Sequence, residues 1–209
     1  MAPQPGYDAL ADLYHRTFPE PFQTALERRA VDAFADLAIA ARDAGPTTAV
    51  SIVDVGCGTG GVSAHLGARG LSVRGVDPSR AMLAIARAQH PDLTWSNGDA
   101  DLTDVDLSDV AGVIARFSLI HLPPDRVRST LADWAERLPA GAVLLVATQS
   151  SDAPGVHEFD HAVARAWRWH ADALADAVTT AGFDELWRTV SRPDDDHRFP
   201  EVHLTAVRR

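Results

Sequence analysis

Lysine is missing from this chain: every residue in the combined Lys and Arg count of 19 is an arginine. That excludes Schiff-base chemistry, the phosphate-binding lysine of a P-loop, and the Tyr-x-x-x-Lys pair of one large oxidoreductase class. Cysteine is almost missing as well. Cys57 stands alone, so no internal disulfide can form, and a reducing, cytoplasmic setting is expected. No apolar run approaches the length of a bilayer span, and Met1-Ala2-Pro3-Gln4-Pro5 has neither the basic nor the apolar region of a secretory signal. No membrane partner is expected. Positive charge is scarce too: the formal net charge of −10 opposes a nonspecific grip on phosphate backbones, so nucleic acid is not an expected partner. With 209 residues and no internal repeat, the chain is expected to form one domain.

What the chain does have is a glycine-rich turn, Val53-Asp54-Val55-Gly56-Cys57-Gly58-Thr59-Gly60-Gly61, between an apolar run and a helical pattern from Val62 to Leu66. Glycines there open backbone conformations closed to other residues and remove the Cβ atoms that would hold a ligand away. The helix N-terminus then offers unpaired N–H groups. The spacing fits a dinucleotide fingerprint and an S-adenosylmethionine (SAM) turn equally well.

Read in order, Tyr7, Leu10, Leu13 and Tyr14 share one helical face, as core or as a lid. Pro19 and Pro21 interrupt, and Phe22, Leu26, Phe34, Leu37 and Ala41 mark a long amphipathic helix that ends near Gly45-Pro46. From Ala49 onward strands alternate with helices. Strands are expected at 49–55, 71–76, 93–96, 110–115 and 142–148, with closing strands at 183–190 and 202–207. Such alternation predicts a doubly wound α/β sheet with the ligand beyond the carboxyl ends of its strands. Residues 1–46 form a helical cover, and 149–172 is too long for a plain connection and is expected to be a substrate-facing insertion.

Carboxylates mark the ends of the first three strands. Asp77 can accept from both hydroxyls of a ribose, or serve as a turn or cap residue. Asp99 can accept from an adenine amino group while the Ala100 N–H meets a ring nitrogen. Asp54 lies inside the first strand and is expected to brace the loop or to reach a ligand ammonium through water. Met82 is placed for adenine or for the core.

Taken together, the glycine turn, Val76-Asp77-Pro78-Ser79, Gly98-Asp99-Ala100, Arg116-Phe117-Ser118-Leu119-Ile120-His121 and Leu138-Pro139-Ala140-Gly141 resemble the class I SAM-dependent methyltransferases, in their small-molecule branch. The resemblance spans residues 7 to 209. It implies a Rossmann-like seven-stranded sheet, mostly parallel with an antiparallel last strand, and SAM as cofactor with S-adenosylhomocysteine as product. It further implies that Tyr14 covers the cofactor, that Gly56, Cys57, Gly58, Thr59, Gly60 and Pro78 contact it, and that Arg116 and Phe117 line its methionine end. Two features depart from the pattern: Ala140-Gly141 replaces the usual Gly-Gly, and the Asn/Asp-Pro-Pro-aromatic signature of base methylation is absent.

The expected reaction is methyl transfer to an oxygen or nitrogen of a small, aromatic or heterocyclic acceptor. Holding two reactants in line supplies much of the acceleration. His121 is the candidate base. Arg116 is a candidate partner for the cofactor carboxylate or an acidic acceptor. Tyr7, His157, His161 and Trp169 are candidate acceptor contacts, and Phe117, Phe159, Trp167 and Trp169 would form an aromatic pocket or simply core. His157-Glu158-Phe159-Asp160-His161 also matches the His-Glu-x-x-His zinc pattern, which requires a helix; no metal site is expected, although an acceptor-orienting metal on His157, His161 and His170 stays open. A nicotinamide oxidoreductase and a non-catalytic SAM-binding regulator are the alternatives, and the chain is expected to be monomeric or homodimeric.

Overall fold

Two long apolar stretches, Val110–Arg116 (β4) and Val143–Gln149 (β5), are buried along nearly their whole length, the signature of strands covered on both faces. They occupy the middle of the sheet. The computed structural model describes residues 6–43, 51–195 and 197–209. The expectations for Met1 to Pro5, for Gly45-Pro46 and for Ala49-Val50 lie outside the described residues.

Helices Gly6–Thr17 (α1) and Ala25–Asp43 (α2) come first, with Phe22 ahead of α2 rather than inside it. There follow Ser51–Val55 (β1), Gly61–Ala68 (α3), Ser72–Asp77 (β2), Arg80–Gln89 (α4) and Thr94–Asn97 (β3). After β4 come Pro124–Arg137 (α5), β5, Val156–Phe159 (β6), Ala166–Trp169 (β7), Ala171–Ala181 (α6), Phe183–Val190 (β8) and Glu201–Arg208 (β9). The stops are local: Ser79 Oγ accepts from Met82 N at 3.1 Å to start α4, Pro124 opens α5, and Gly182 at φ 115° ends α6.

The main sheet has seven strands in the order β3-β2-β1-β4-β5-β9-β8, all parallel except β9. The chain winds outward from β1 to β3 and then returns to β4, so the order reverses between β1 and β4. At that reversal the carboxyl ends open a crevice. One face packs on α2 and α3 around Phe34, Ile52, Leu66 and Leu145; the other packs on α5 and α6 around Trp134, Leu144, Leu174 and Phe183.

The expected insertion is an antiparallel hairpin of β6 and β7, bridged to the sheet by Ser150 and Trp169. Two details of the sequence reading change with it. Trp169 is 0% exposed and part of the α5/α6 core, so it is unavailable to an acceptor. His157 lies on a strand, where successive side chains point to opposite faces, and His161 lies beyond its end; the helix that the His-Glu-x-x-His pattern requires is not formed. Strand geometry prevailed because Val156 and Phe159 pair with Trp169 and Ala166.

Candidate functional site

The glycine turn leaves β1 and doubles back over the tip of β2. Gly56 N and Cys57 N both donate to the Val76 carbonyl, at 2.7 and 3.2 Å. Gly56, Gly58 and Gly60 have φ of 69°, 55° and 88°, where side chains are strained. The two outer glycines are also pressed by protein: a Cβ on Gly56 would lie 2.2 Å from Ser118 Cβ, and one on Gly60 2.4 Å from the Trp95 ring. Gly58 differs. Its missing Cβ would point into open space.

Asp77 terminates β2 and holds the turn. Its Oδ2 accepts from Gly58 N and its Oδ1 from Ser79 N, both at 2.8 Å. A carboxylate has about four lone-pair sites, so one per oxygen is left for paired hydroxyls. Burial pushes its pKa up, against the pull of the two N–H groups. Asp99, two residues past β3, is exposed, and no described residue bonds its carboxylate. The two tips are neighbours, since Asp77 pairs with Asn97 and Gly98 N donates to the Asp77 carbonyl at 3.2 Å. Behind Asp99, Trp134 Nε1 donates to the Ala100 carbonyl at 2.9 Å, and Arg137 clamps the carbonyls of Asp101, Leu102 and Val105.

Asp54 is fully enclosed and accepts from Ser63 Oγ at 2.6 Å, bracing β1 to α3; burial pushes it up to about 6. Cys57 is buried at its side chain. Its thiol turns under the loop, where Gly75 alone leaves room for it and for Trp95, so only its backbone can meet a ligand. Met82 is 1% exposed, Pro78 is exposed and Thr59 half-buried.

Helix α1 lies against the start of α4 through a contact the sequence did not announce: Asp8 Oδ1 accepts from Ser79 Oγ at 2.7 Å and from Ala81 N at 3.0 Å. Tyr7 and Tyr14 are both close enough to Asp77 for its charge to act on them. Tyr7 Oη lies 2.9 Å from His121 Nε2, and His121 Nδ1 lies 2.9 Å from the Arg165 carbonyl oxygen. A carbonyl only accepts, so Nδ1 carries the proton and Nε2 accepts from the phenol. Burial lowers the pKa of His121, so the ring is neutral near pH 7.

Arg116 is already committed. It forms a nearly buried ion pair with Glu27 at 2.5 Å and donates to the Pro21 carbonyl at 3.2 Å. Its expected reach toward a cofactor carboxylate or an acidic acceptor is replaced by this internal pairing, made where Glu27 also caps α2 beside Thr24. The Thr-x-x-Glu spacing was the available signal. Phe117, at φ 52°, is held by its N–H on the Ala147 carbonyl at 2.8 Å. Farther out, rings succeed one another at centroid distances of 4.9 to 6.1 Å: Phe199, Phe159, His161, His121, Tyr7, Tyr14 and Phe18. His157 is drawn aside to the Pro154 carbonyl at 2.9 Å. Among the described residues no three His, Cys, Asp or Glu side chains could hold a metal ion.

Residues 52–141 match the family model described as a methyltransferase domain. That match covers less than half of the chain. The carboxy-S-adenosyl-L-methionine synthase of Aliivibrio salmonicida (strain LFI1238) is 30% identical over 104 residues, 46% of this chain and 43% of that protein, so the match spans less than half of that relative. Two solved structures share the fold at low identity. The 1,6-didemethyltoxoflavin-N1-methyltransferase of Burkholderia thailandensis, bound to 1,6-didemethyltoxoflavin and S-adenosylhomocysteine, matches at TM-score 0.68 and 18% identity, covering 100% of this chain and 92% of its own. Magnesium protoporphyrin IX methyltransferase from Synechocystis PCC 6803, with bound SAM, matches at 0.67 and 16%, covering 97% and 93%. No helix among the described residues is long and apolar enough to cross a membrane.

Proposed function

We propose that the protein transfers the methyl group of SAM to an oxygen or nitrogen of a small aromatic or heterocyclic acceptor. The observation that carries this reading is the meeting of a side-chain-free turn at Gly58 with the neighbouring tips of β2 and β3, where Asp77 keeps two lone pairs and Asp99 keeps all of its own. In this reading the backbone of Gly56 to Gly60 cradles the cofactor, Asp77 takes its ribose, and Asp99 and Ala100 take its adenine beside Pro78, while the enclosed Met82 and Asp54 support the site from beneath. Tyr14 closes over it, and Phe117 walls the methionine end. When bound, SAM supplies an electrophilic methyl group on a sulfonium.

The remaining work falls to α1 and the hairpin. Tyr7 and His121 form the proton-accepting pair: as the phenol takes a proton from the acceptor, it passes its own to Nε2. The ring then carries protons on both nitrogens, one facing the Arg165 carbonyl and the other the Tyr7 oxygen. The chain of rings from Phe199 to Tyr7 suits a flat acceptor, and the net charge of −10 speaks for a small molecule rather than nucleic acid. Residues 6–43 act as the cover and the β6–β7 hairpin as the acceptor-side insertion of a single domain.

Calorimetry with SAM, S-adenosylhomocysteine and NAD(H) tests the reading. Binding of the first two, strongly weakened by Asp77→Ala, is expected; binding of NAD(H) alone, or of none, overturns it.

A further inference from the structure

On the α5/α6 face, β5 and β9 are mostly apolar, with Val146, Val202 and Leu204 in the core and Thr148 opposite Val202 as one buried polar exception. On the α2 face the same strands turn polar toward the ligand edge. Gln149 pairs with Glu201, Ala147 and Thr189 both pair with His203, and Trp187 pairs with Thr205, so Gln149, Glu201, His203, Thr189 and Thr205 share that face. His203 and Thr205 are 0% exposed. Among the described residues, both ring nitrogens of His203, the hydroxyls of Thr205 and Thr189, Gln149 Oε1 and Arg116 Nε have no hydrogen-bond partner. Folded interiors leave few such atoms, and a cluster of them marks a place where polar company is expected from outside the chain.

Glu201 stands at the open end of this band. It is 9% exposed, and no described residue hydrogen-bonds its carboxylate. The charges around it are Glu27 on α2, Arg116 on β4, and His197 and Asp194 from the β8–β9 connection. Arg116 is spent on Glu27, and His197 Nδ1 lies 2.7 Å from Asp194, so neither neighbouring cation is committed to Glu201. The band meets Phe117, whose ring stands edge-on to His203 at 5.9 Å, and Phe199 of the ring series lies two residues before Glu201 in the chain.

We propose that this band is the polar wall of the acceptor site, and that Glu201 receives a basic nitrogen of the acceptor, an amine or a protonated heterocycle. The inference rests on the methyltransferase reading and narrows its substrate class. The aromatic series takes the flat part of the molecule, while the band takes its hydrogen-bonding edge. Gln149 and Glu201 form the reachable edge of the band, while His203, kept neutral by burial, and Thr205 lie enclosed behind it.

The test uses protein saturated with S-adenosylhomocysteine and two probes of one shape, benzylamine and benzyl alcohol, in thermal-shift and calorimetric titrations. At pH 8 benzylamine is expected to bind about 10- to 100-fold more tightly than the alcohol, the usual range for a charged hydrogen bond. Glu201→Gln should erase that preference while leaving S-adenosylhomocysteine affinity in place, and lowering the pH from 8 to 6 should weaken it in the parent protein, because Glu201, raised to about 7, largely takes up its proton. Equal binding of the two probes, no saturable response to the amine, or an unchanged preference in Glu201→Gln overturns the acceptor assignment alone. Failure of S-adenosylhomocysteine to bind overturns the methyltransferase reading and this inference together.

Discussion

Replacing Asp77 by asparagine is the sharpest perturbation of the cofactor site, because the change is isosteric and each oxygen already has an identified partner. Gly58 N and Ser79 N approach the two oxygens at 2.8 Å, so in either rotamer the new NH2 group confronts one of those donors. Losing that bond and stranding an N–H costs about 1–3 kcal/mol. Part is returned, since burial already disfavours the Asp77 charge. A net loss of about 1–2 kcal/mol lowers the melting temperature by roughly 2–8 °C for a chain of this size. The effect on the cofactor adds to this. An amide nitrogen has no lone pair to offer, so one ribose hydroxyl loses its acceptor, and S-adenosylhomocysteine affinity should fall about 10- to 100-fold. Melting curves without ligand and calorimetry at pH 8 measure the two effects separately. The sign of the pH dependence is also fixed: the parent carboxyl has a raised pKa, so its affinity should decline as pH falls through that value, while Asp77→Asn should be flat. A variant with lowered melting temperature but unchanged affinity would leave Asp77 as a turn residue only; no change in either would refute the argument.

Gly56→Ala should destabilise the fold by about 2–5 kcal/mol in denaturant titrations, combining left-handed strain with overpacking against Ser118, and should abolish cofactor binding. Tyr7→Ala should move the His121 titration upward toward its ordinary 6.5 in NMR spectra, because burial is the larger cause of its depression; an unmoved ring would show that α1 does not cover it. Glu201→Gln should stabilise the ligand-free protein at pH 8 but not at pH 4. A carboxyl raised from 4.5 to about 7 binds its proton more tightly in the folded state, so stability falls as pH rises through that window, by at most about 3 kcal/mol. Equal stabilities of parent and variant at pH 8 would contradict that sign.

The parts of the site that lie close in sequence were readable before any coordinates. Strand, glycine turn and helix occupy consecutive residues, and Asp77 and Asp99 end their strands in a pattern that adjacent parallel strands bring together. Contacts across long separations were not readable. Tyr7 meets His121 over 114 residues and Arg116 meets Glu27 over 89, and periodicity places each residue on a face without naming what the face meets. The hairpin was not legible for a related reason. A short segment with histidines four apart carries no periodicity long enough to separate helix from strand, and pairing with Ala166 to Trp169 decided the matter. Trp169 shows the same limit, since an aromatic residue in a loop-like stretch reads as a ligand contact until the core it completes is seen.

The Arg165 carbonyl fixes which nitrogen of the His121 imidazole is protonated, and it does so with main-chain atoms while the Arg165 side chain turns away to Glu158. The tautomer is therefore indifferent to the identity of residue 165 and sensitive to the length of the loop that carries it. Drift at that position should pass without consequence for the imidazole, whereas one residue added to or taken from the segment between Phe159 and Ala166 would slide the oxygen out of place and leave the proton free to choose either nitrogen.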